Sequence, residues 1–414
     1  MLNNIIDFVA IIIICIYLYR DNEKYAWLLY IAFSCTMPWF VIGDYRISFE
    51  ILMFFPMFFV HVMYYGKSKK ICFSNTENIF IFLFIYSMLI TLNREIYENY
   101  LNIYRVFSAF RFIAIIHIIK ELIDEDAEND FDKMILMILS VNCVFIMIQS
   151  VFPSETMQMW TQLYDSPSRK ALEGDFIRFG FMSRPVGTLG SPTILGMFNC
   201  IMTAYLVGRF CTRKNKKIYF FIGMVMTGFI AVSSFSKTAM IGWGIYAFVA
   251  SFILFRRGYY CALALILIIP MSLILIYINI FPDNASHVMT MLELFNNPNR
   301  AFNTRFGDSG STWGALSMAL EDEYFMFGVS RDYPNIFVGD VLYVEQLYRY
   351  GVIGLVLYTI FLLYPMIIAI RKHNLQVLVM MSSLFMIGLA SPSQYWFLAA
   401  FILGISIKSI KANK

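Results

Sequence analysis

Residues 350–370 read YGVIGLVLYTIFLLYPMIIAI, a run of 21 positions without a charged side chain. A helix of about 20 apolar residues spans the hydrocarbon core of a membrane, which is roughly 30 Å thick. Comparable runs recur along most of the chain, which is 59% hydrophobic and 14% charged. Soluble globular domains carry about 25% charged residues, so this composition indicates a polytopic membrane protein.

The apolar runs predict an all-α fold with about 12–13 transmembrane helices. They lie near residues 4–19, 25–43, 47–65, 77–93, 101–119, 134–152, 190–208, 218–234, 238–255, 259–280, 350–370, 375–390 and 395–409. The first run lacks a basic n-region and a small-residue cleavage site, so we expect a retained helix rather than a signal peptide. We interpret residues 1–414 as a single transmembrane domain.

Basic residues predict the orientation of these helices. Alternate connections such as 67–70 and 209–217 are short and rich in Lys and Arg, which is typical of cytoplasmic loops. Two long polar stretches, 153–189 and 281–340, then face outward. The segment 120–133 is net acidic, although the same count places it inside. This bias accounts for the net charge of +4, and we expect no nucleic-acid partner.

Arginines are frequent in the two outward stretches, where the positive-inside bias does not favour short basic loops. They are Arg169, Arg178, Arg184, Arg300, Arg305 and Arg331. Guanidinium groups bind phosphate oxygens through paired hydrogen bonds, so we expect a phosphate-bearing ligand just above the outer leaflet. The alternative is that these arginines form salt bridges with carboxylates of the same stretches.

Three more cations are candidate ligand groups. Arg105 and Arg111 lie within the predicted helix 101–119, where a charge costs roughly 2.5–3.5 kcal/mol at the bilayer centre. Either they bind a ligand phosphate, or they form ion pairs that only fix helix packing. Lys237 lies in the outward turn SSFSKTA at residues 233–239. It is either a ligand group or an ordinary interfacial lysine.

The second outward stretch contains a predicted amphipathic helix, from about Ser311 to Asp322. Trp313, Leu316 and Leu320 share one face of this helix, and Ser311 is the expected N-cap.

Asp340 is the carboxylate best placed to act as a general base. It stands where the second outward stretch enters an apolar helix, and partial desolvation there raises a carboxyl pKa toward a useful range. Glu345 follows about one turn later and could share the site. The alternative is that Asp340 is only the N-cap of the helix.

Several function classes lack their sequence signatures. The chain has no CxxC, HExxH, Walker A or GxGxxG motif, so nucleotide hydrolysis and a conventional zinc site have no support. The outward stretches contain no DxD sequence. We therefore expect neither a metal nor any other cofactor.

Motifs in residues 134–409 resemble the O-antigen ligase and polymerase superfamily. They are Arg184-x-x-Gly187 with Ser191-Pro192, the turn Ser236-Lys237-Thr238-Ala, the series Arg305…Trp313…Ala319…Phe327-Gly328, and Asp340-x-x-Tyr343-x-x-x-Leu347-x-x-x-Gly351-x-x-Gly354. The ligase branch usually places a histidine eleven residues before the glycine that matches Gly351. This chain has Asp340 there, which favours the polymerase (Wzy-type) branch. Lys237 stands where the superfamily usually has Arg.

The resemblance implies a GT-C-like glycosyltransferase of the bacterial inner membrane that uses no nucleotide sugar. The donor would be a glycan on undecaprenyl pyrophosphate, and the acceptor a second lipid-linked repeat unit at the periplasmic face. Arg184 and Arg305 would bind the pyrophosphate, with Arg178, Lys237, Arg105, Arg111 and Arg300 as further substrate-binding candidates. Asp340 would accept the proton of the acceptor hydroxyl.

The same resemblance implies two partners besides the substrate: membrane lipids and a protein that controls chain length. Two other functions stay open at the level of sequence. One is a flippase or transporter of lipid-linked repeat units, which has a similar length and helix count but short loops throughout. The other is an O-antigen ligase.

Overall fold

The computed structural model describes most of the chain. The described residues are 2–20, 22–38, 40–42, 45–65, 73–93, 100–122, 125–156, 185–212, 217–234, 236–260, 312–329, 341–389 and 397–412, with single residues at 159, 268, 272, 275 and 279. Nearly all of them are helical, which confirms the predicted all-α class. Five helices are long and apolar enough to cross a membrane. The total number of spans stays a prediction.

The helices and strands of this part of the chain are numbered in order along the sequence. They are α1 (Leu2–Tyr19), α2 (Glu23–Thr36), β1 (Phe40–Ile42), β2 (Tyr45–Ile47), α3 (Phe49–Val60), which continues into a π-helical turn (His61–Tyr65), α4 (Asn75–Asn93), α5 (Tyr100–Leu122), α6 (Glu125–Val151), α7 (Pro192–Cys211), α8 (Lys217–Ser233), α9 (Lys237–Arg256), α10 (Trp313–Ala319), α11 (Asp322–Phe325), α12 (Leu342–Arg371), α13 (Leu375–Ile387) and α14 (Phe397–Ala412).

A β-hairpin replaces the end of one predicted helix. The apolar run 25–43 is helical only as far as Thr36, because Pro38 disfavours helical backbone in the residue before it. β1 and β2 pair in antiparallel fashion, with Phe40 opposite Ile47. Only Gly43 and Asp44 separate the strands in sequence, and such Gly-containing pairs are typical of two-residue hairpin turns.

The chain divides into two compact units. Unit 1 comprises Met1–Ile71 and Leu122–Ser286, and unit 2 comprises Cys72–Glu121 and His287–Lys414. Unit 1 therefore contains the helices α1–α3 and α6–α9 together with the hairpin. Unit 2 contains α4, α5 and α10–α14. The two long polar stretches fall in different units for most of their length.

Helices α7 and α9 pack closely at the core of unit 1 because small residues face each other. A Cβ atom on Gly196 would lie 2.0 Å from Ser236 Oγ, and one on Gly242 would lie 2.7 Å from Cys200 Sγ. Small residues of this kind allow helix backbones to approach. The two contacts follow in the same order along both helices, so α7 and α9 run parallel and begin at the same end of unit 1.

Aromatic packing holds together the core of unit 2. The rings of Phe80, Phe112 and Phe361 come from α4, α5 and α12, and the ring of Phe80 lies 4.9 Å from each of the other two. α12 begins at Leu342, eight residues before the predicted apolar run. Glu345 and Arg349 lower the hydropathy of this first part, although the backbone there is helical.

Candidate functional site

Most of the predicted site residues lie outside the described part of the chain. They are Arg178, Arg184, Arg300, Arg305 and Asp340. Arg105 lies on α5, but its side chain is not among those described. Lys237 and Arg111 are described, as are the residues that follow Arg184 and Asp340. The described part of the candidate site therefore consists of these residues, which are divided between the two units.

In unit 1, the residues that follow Arg184 are held by the side chain of Gln149 on α6. The backbone N–H groups of Val186 and Gly187 both donate to Gln149 Oε1 at 2.9 Å. Gln149 Nε2 donates back to the Gly187 carbonyl at 3.0 Å. All three bonds are buried, where a hydrogen bond left unmade is costly. This side chain thus fixes the backbone two and three residues beyond Arg184.

A second amide, Asn142, extends the same network one residue further. Its Oδ1 accepts from the backbone N–H of Thr188 at 3.1 Å and from the Thr188 hydroxyl at 3.0 Å. That hydroxyl also lies 2.6 Å from the carbonyl of Cys35, near the end of α2. Gly187 has a φ of +59°, and a Cβ there would lie 2.5 Å from Asn142 Oδ1. The turn therefore requires glycine at position 187.

Lys237 lies at the same end of unit 1 as this turn. It is the first residue of α9, and its side chain is exposed. Ser236, directly before it, packs against Gly196 near the start of α7, and α7 begins immediately after the turn that Gln149 and Asn142 hold. The structure thus brings Lys237 and the segment that follows Arg184 to one end of unit 1, here called the loop end.

Acidic residues of the segment 120–133 pair with cations at the end of unit 1 opposite the Gly187 turn. Arg209 donates to both carboxylate oxygens of Asp132 at 3.2 Å, and both side chains are 1% exposed. Tyr205 donates to the same carboxylate at 3.0 Å. Asp130 accepts from Tyr25 and lies 3.7 Å from the ammonium group of Lys24. These acidic residues therefore neutralise cations at this end of unit 1. Asp130 and Asp132 thus lie on the same side of the unit as the basic residues Lys24 and Arg209.

Arg111 is buried in α5 of unit 2. The next residue, Phe112, belongs to the aromatic core of that unit. A buried guanidinium group in an apolar helix fits either of the two roles predicted for it, since a ligand phosphate and an ion pair would both compensate its charge.

A tight backbone contact supports the entry to α12 in unit 2. Gly351 interrupts the helix with φ 65° and ψ −170°, and a Cβ there would lie 2.2 Å from the Met326 carbonyl oxygen. Gly328 has a φ of +86° and a Cβ there would meet the Arg349 backbone at 2.5 Å. The N–H of Val329 donates to the Tyr348 carbonyl at 2.7 Å. Residues 326–329 of the second polar stretch are thus fitted against α12 at this kink.

Helix α10 forms within the predicted range of about 311–322 but is shorter, since it covers only Trp313–Ala319. The residues that pack against α12 are Ala315 and Ala319, with Leu316 and Met318 partly buried. Trp313 and Leu320, predicted to share a face with Leu316, are exposed. Alanine faces the core because it allows a close approach of the two helices. The N-cap is Thr312 instead of Ser311.

The N-cap of α12 is Val341, so the alternative reading of Asp340 as the N-cap residue is wrong. Glu345, predicted to share a site with Asp340, accepts a hydrogen bond from Arg349 Nε at 2.9 Å, and both side chains are mostly buried. Leu342, which follows Val341, donates its N–H to the Gly388 carbonyl at 2.9 Å. The chain segment directly after Asp340 therefore has a fixed position within unit 2.

A buried cluster of charged side chains joins the start of α4 to the end of α5 in unit 2. Lys120 donates to both Glu77 oxygens at 2.8 and 2.9 Å, and His117 Nδ1 lies 2.8 Å from Glu77 Oε1. Ser74 and Glu77 also exchange side-chain and backbone hydrogen bonds in a capping box. The cluster is thus explained as a structural contact between α4 and α5. Among the described residues, no three His, Cys, Asp or Glu side chains group as metal ligands.

Comparison with known proteins gives no relative for this chain. No protein-family model matches it, no curated protein does, and no solved structure is similar to it. Its function must be inferred from its residues and their geometry.

Proposed function

We propose that this protein is a membrane glycosyltransferase that joins oligosaccharide repeat units carried on undecaprenyl pyrophosphate into O-antigen or capsular polysaccharide at the periplasmic face of the bacterial inner membrane. The proposal rests on the motif order around Arg184, Lys237, Arg305 and Asp340. Arg184 and Lys237 bind pyrophosphate oxygens, Arg305 stabilises the negative charge of the leaving group, and Asp340 is the general base.

One structural observation supports this reading most strongly. Two buried amides, Asn142 and Gln149, hold the backbone just after Arg184, and Lys237 is exposed at the same end of unit 1. A plain connection between helices needs no buried amide side chains to position it. Cations held in place before the reaction stabilise developing negative charge without reorganisation, which is what departure of a pyrophosphate requires.

The proposed reaction is a direct displacement at the anomeric carbon of the donor sugar. The acceptor hydroxyl oxygen forms the new glycosidic bond while the bond from the anomeric carbon to the pyrophosphate oxygen breaks. Undecaprenyl pyrophosphate leaves with the electron pair, and the hydroxyl proton passes to the Asp340 carboxylate. Direct displacement inverts the configuration at that carbon. Cleavage of the bond between the anomeric carbon and the pyrophosphate oxygen supplies the driving force, so no nucleotide sugar is consumed.

Deletion of the gene in its source bacterium tests this proposal. The deletion strain should lose polymer and accumulate single lipid-linked repeat units that are accessible at the periplasmic face. Wild-type protein should restore the polymer, whereas Arg184→Ala, Arg305→Ala and Asp340→Asn should insert normally and fail to restore it. Units confined to the cytoplasmic leaflet would instead indicate a transporter. Polymer that still forms but no longer reaches its final acceptor would indicate a ligase.

A further inference from the structure

Three consecutive apolar side chains, Phe325, Met326 and Phe327, are exposed on the surface of unit 2. Phe327 is 57% exposed and Met326 is 47% exposed. A protein surface in water rarely leaves such a run uncovered unless the residues bind something. The position of the run along α12 shows which medium covers it.

The depth of this run is set by its contacts with α12. The Met326 carbonyl lies against Gly351, and the N–H of Ile353 points to the same carbonyl at 3.5 Å. From Met326 to Val329 the chain runs toward the start of α12, because the N–H of Val329 donates to the Tyr348 carbonyl. Met326 therefore lies at the level of Gly351 on α12.

The length of α12 beyond that point matches a membrane. From Gly351 to Arg371, a helical rise of about 1.5 Å per residue gives about 30 Å, the thickness of the hydrocarbon core. Arg371 and Lys372 mark one boundary of this span. The opposite boundary then falls at the Gly351 kink, beyond which the Glu345–Arg349 ion pair begins the polar part of the helix.

Beyond Gly351, α12 carries a stripe of exposed apolar side chains, which we expect to face lipid, namely Val356, Ile360, Leu363, Ile367 and Ile370. Their spacing of three or four residues places them on one face of the helix. Phe325, Met326 and Phe327 lie at the end of the helix where this stripe begins, whereas the preceding residues Glu321, Asp322 and Glu323 are exposed and acidic.

We propose that Phe325, Met326 and Phe327 form an interfacial anchor that inserts among the acyl chains of the bilayer at the level of Gly351. Aromatic side chains are favoured at this depth, where their rings sit between hydrocarbon and headgroups. The anchor is immersed in lipid, while Glu321 stays in water. It holds the end of the second polar stretch at the membrane surface, whichever reaction the protein catalyses.

Site-specific photocrosslinking tests the anchor directly. A benzophenone amino acid is incorporated at Phe327 in the full-length protein, and the purified variant is illuminated in phosphatidylcholine vesicles. Ile360 serves as the lipid-facing control and Glu321 as the control expected to face water. We expect phosphatidylcholine adducts at 327 and 360, detected by intact mass, and none at 321.

Two results would overturn the anchor. One is a crosslink from position 327 to the protein itself or to a second copy, because the run would then be covered by polypeptide. The other is absence of an adduct at 327 while position 360 reacts, because the run would then face water. The replacement at Phe327 exchanges one exposed aromatic side chain for another, and a thermal unfolding transition like that of the wild-type protein reports that the variant has folded.

Discussion

At the scale of single residues, Lys217 is a matched control for Lys237. Each is the first residue of a helix in unit 1 and each is exposed, but they lie at opposite ends of the unit. Lys237→Ala should lower chain extension about 10- to 100-fold, since a hydrogen bond to a charged group contributes about 1.5–3 kcal/mol. Lys217→Ala should leave it unchanged. Rates of polymer formation by equal amounts of inserted protein check this, and equal effects would remove Lys237 from the site.

The two ion pairs near the start of α6 should differ sharply in their effect on stability. Arg209→Met leaves the fully buried Asp132 without its cation, and loss of one partner of a buried pair costs about 3–5 kcal/mol. Lys133 is 61% exposed and pairs with Asp130, and an exposed pair contributes about 0–1 kcal/mol. Lys133→Met should therefore have little effect. Denaturation of the purified variants in detergent compares them, and similar midpoints would show that the Arg209 pair does not stabilise unit 1.

At the scale of elements, the Gly351 kink should tolerate no side chain. Its φ and ψ fall in a region that is essentially restricted to glycine, where strain costs about 1–3 kcal/mol, and the Met326 carbonyl blocks a Cβ. Gly351→Ala should therefore lower thermal stability. Gly314→Ala is the control: nothing lies within 4 Å of a Cβ there, so the change should stabilise α10 by about 1 kcal/mol. A stable Gly351→Ala variant would contradict the observed kink.

The turn after Arg184 should depend on the hydrogen bonds of the Gln149 side chain more than on its volume. Gln149→Leu keeps a similar size but leaves the N–H groups of Val186 and Gly187 without an acceptor. Gln149→Glu keeps a side-chain oxygen that can accept from both N–H groups. Hydrogen exchange at Val186 and Gly187 should accelerate about 5- to 160-fold in the leucine variant, since an unmade buried bond costs about 1–3 kcal/mol, and less in the glutamate variant. Unchanged exchange in both variants would show that the turn is held by other contacts.

The sequence predicted where helices occur better than where they end. Apolar runs identified the helices because burial in lipid requires apolar side chains. Hydropathy could not show that Pro38 ends α2 early, nor that α12 begins at Leu342, where Glu345 and Arg349 interrupt the apolar pattern. On α10 the spacing of the large apolar residues predicted the face shared by Trp313 and Leu320, whereas the face that packs against α12 carries alanine.

Two described residues of the candidate site, Lys237 and Gly187, were recognised as motif residues, and their functional roles stay predictions. Asn142 and Gln149 were missed because each is a single polar residue in a long apolar run. Their spacing was the available signal: residues seven apart share a face of a helix, and polar side chains within membrane helices are typically functional or paired. Their partners, Gly187 and Thr188, are distant in sequence, so only the fold could reveal them.

At the scale of the whole molecule, each unit carries a buried ion pair at one end of its helices. In unit 1 the ion pair of Arg209 lies at the end opposite the Gly187 turn. In unit 2 the Glu77–Lys120 pair lies at the far end of α4 and α5, while the second polar stretch joins α12 near Gly351. Within each unit, the buried ion pair and the polar stretch therefore lie at opposite ends, and the outward orientation of both stretches stays a prediction.

Chain extension by the purified protein tests the central proposal most directly. Single lipid-linked repeat units isolated from the deletion strain are mixed with the protein in phosphatidylcholine vesicles, without ATP or nucleotide sugar, and product lengths are resolved on a gel. We predict a ladder of whole repeat units, with one undecaprenyl pyrophosphate released for each bond formed. Units that remain single while the wild-type protein is folded and inserted would contradict the assignment as a polymerase.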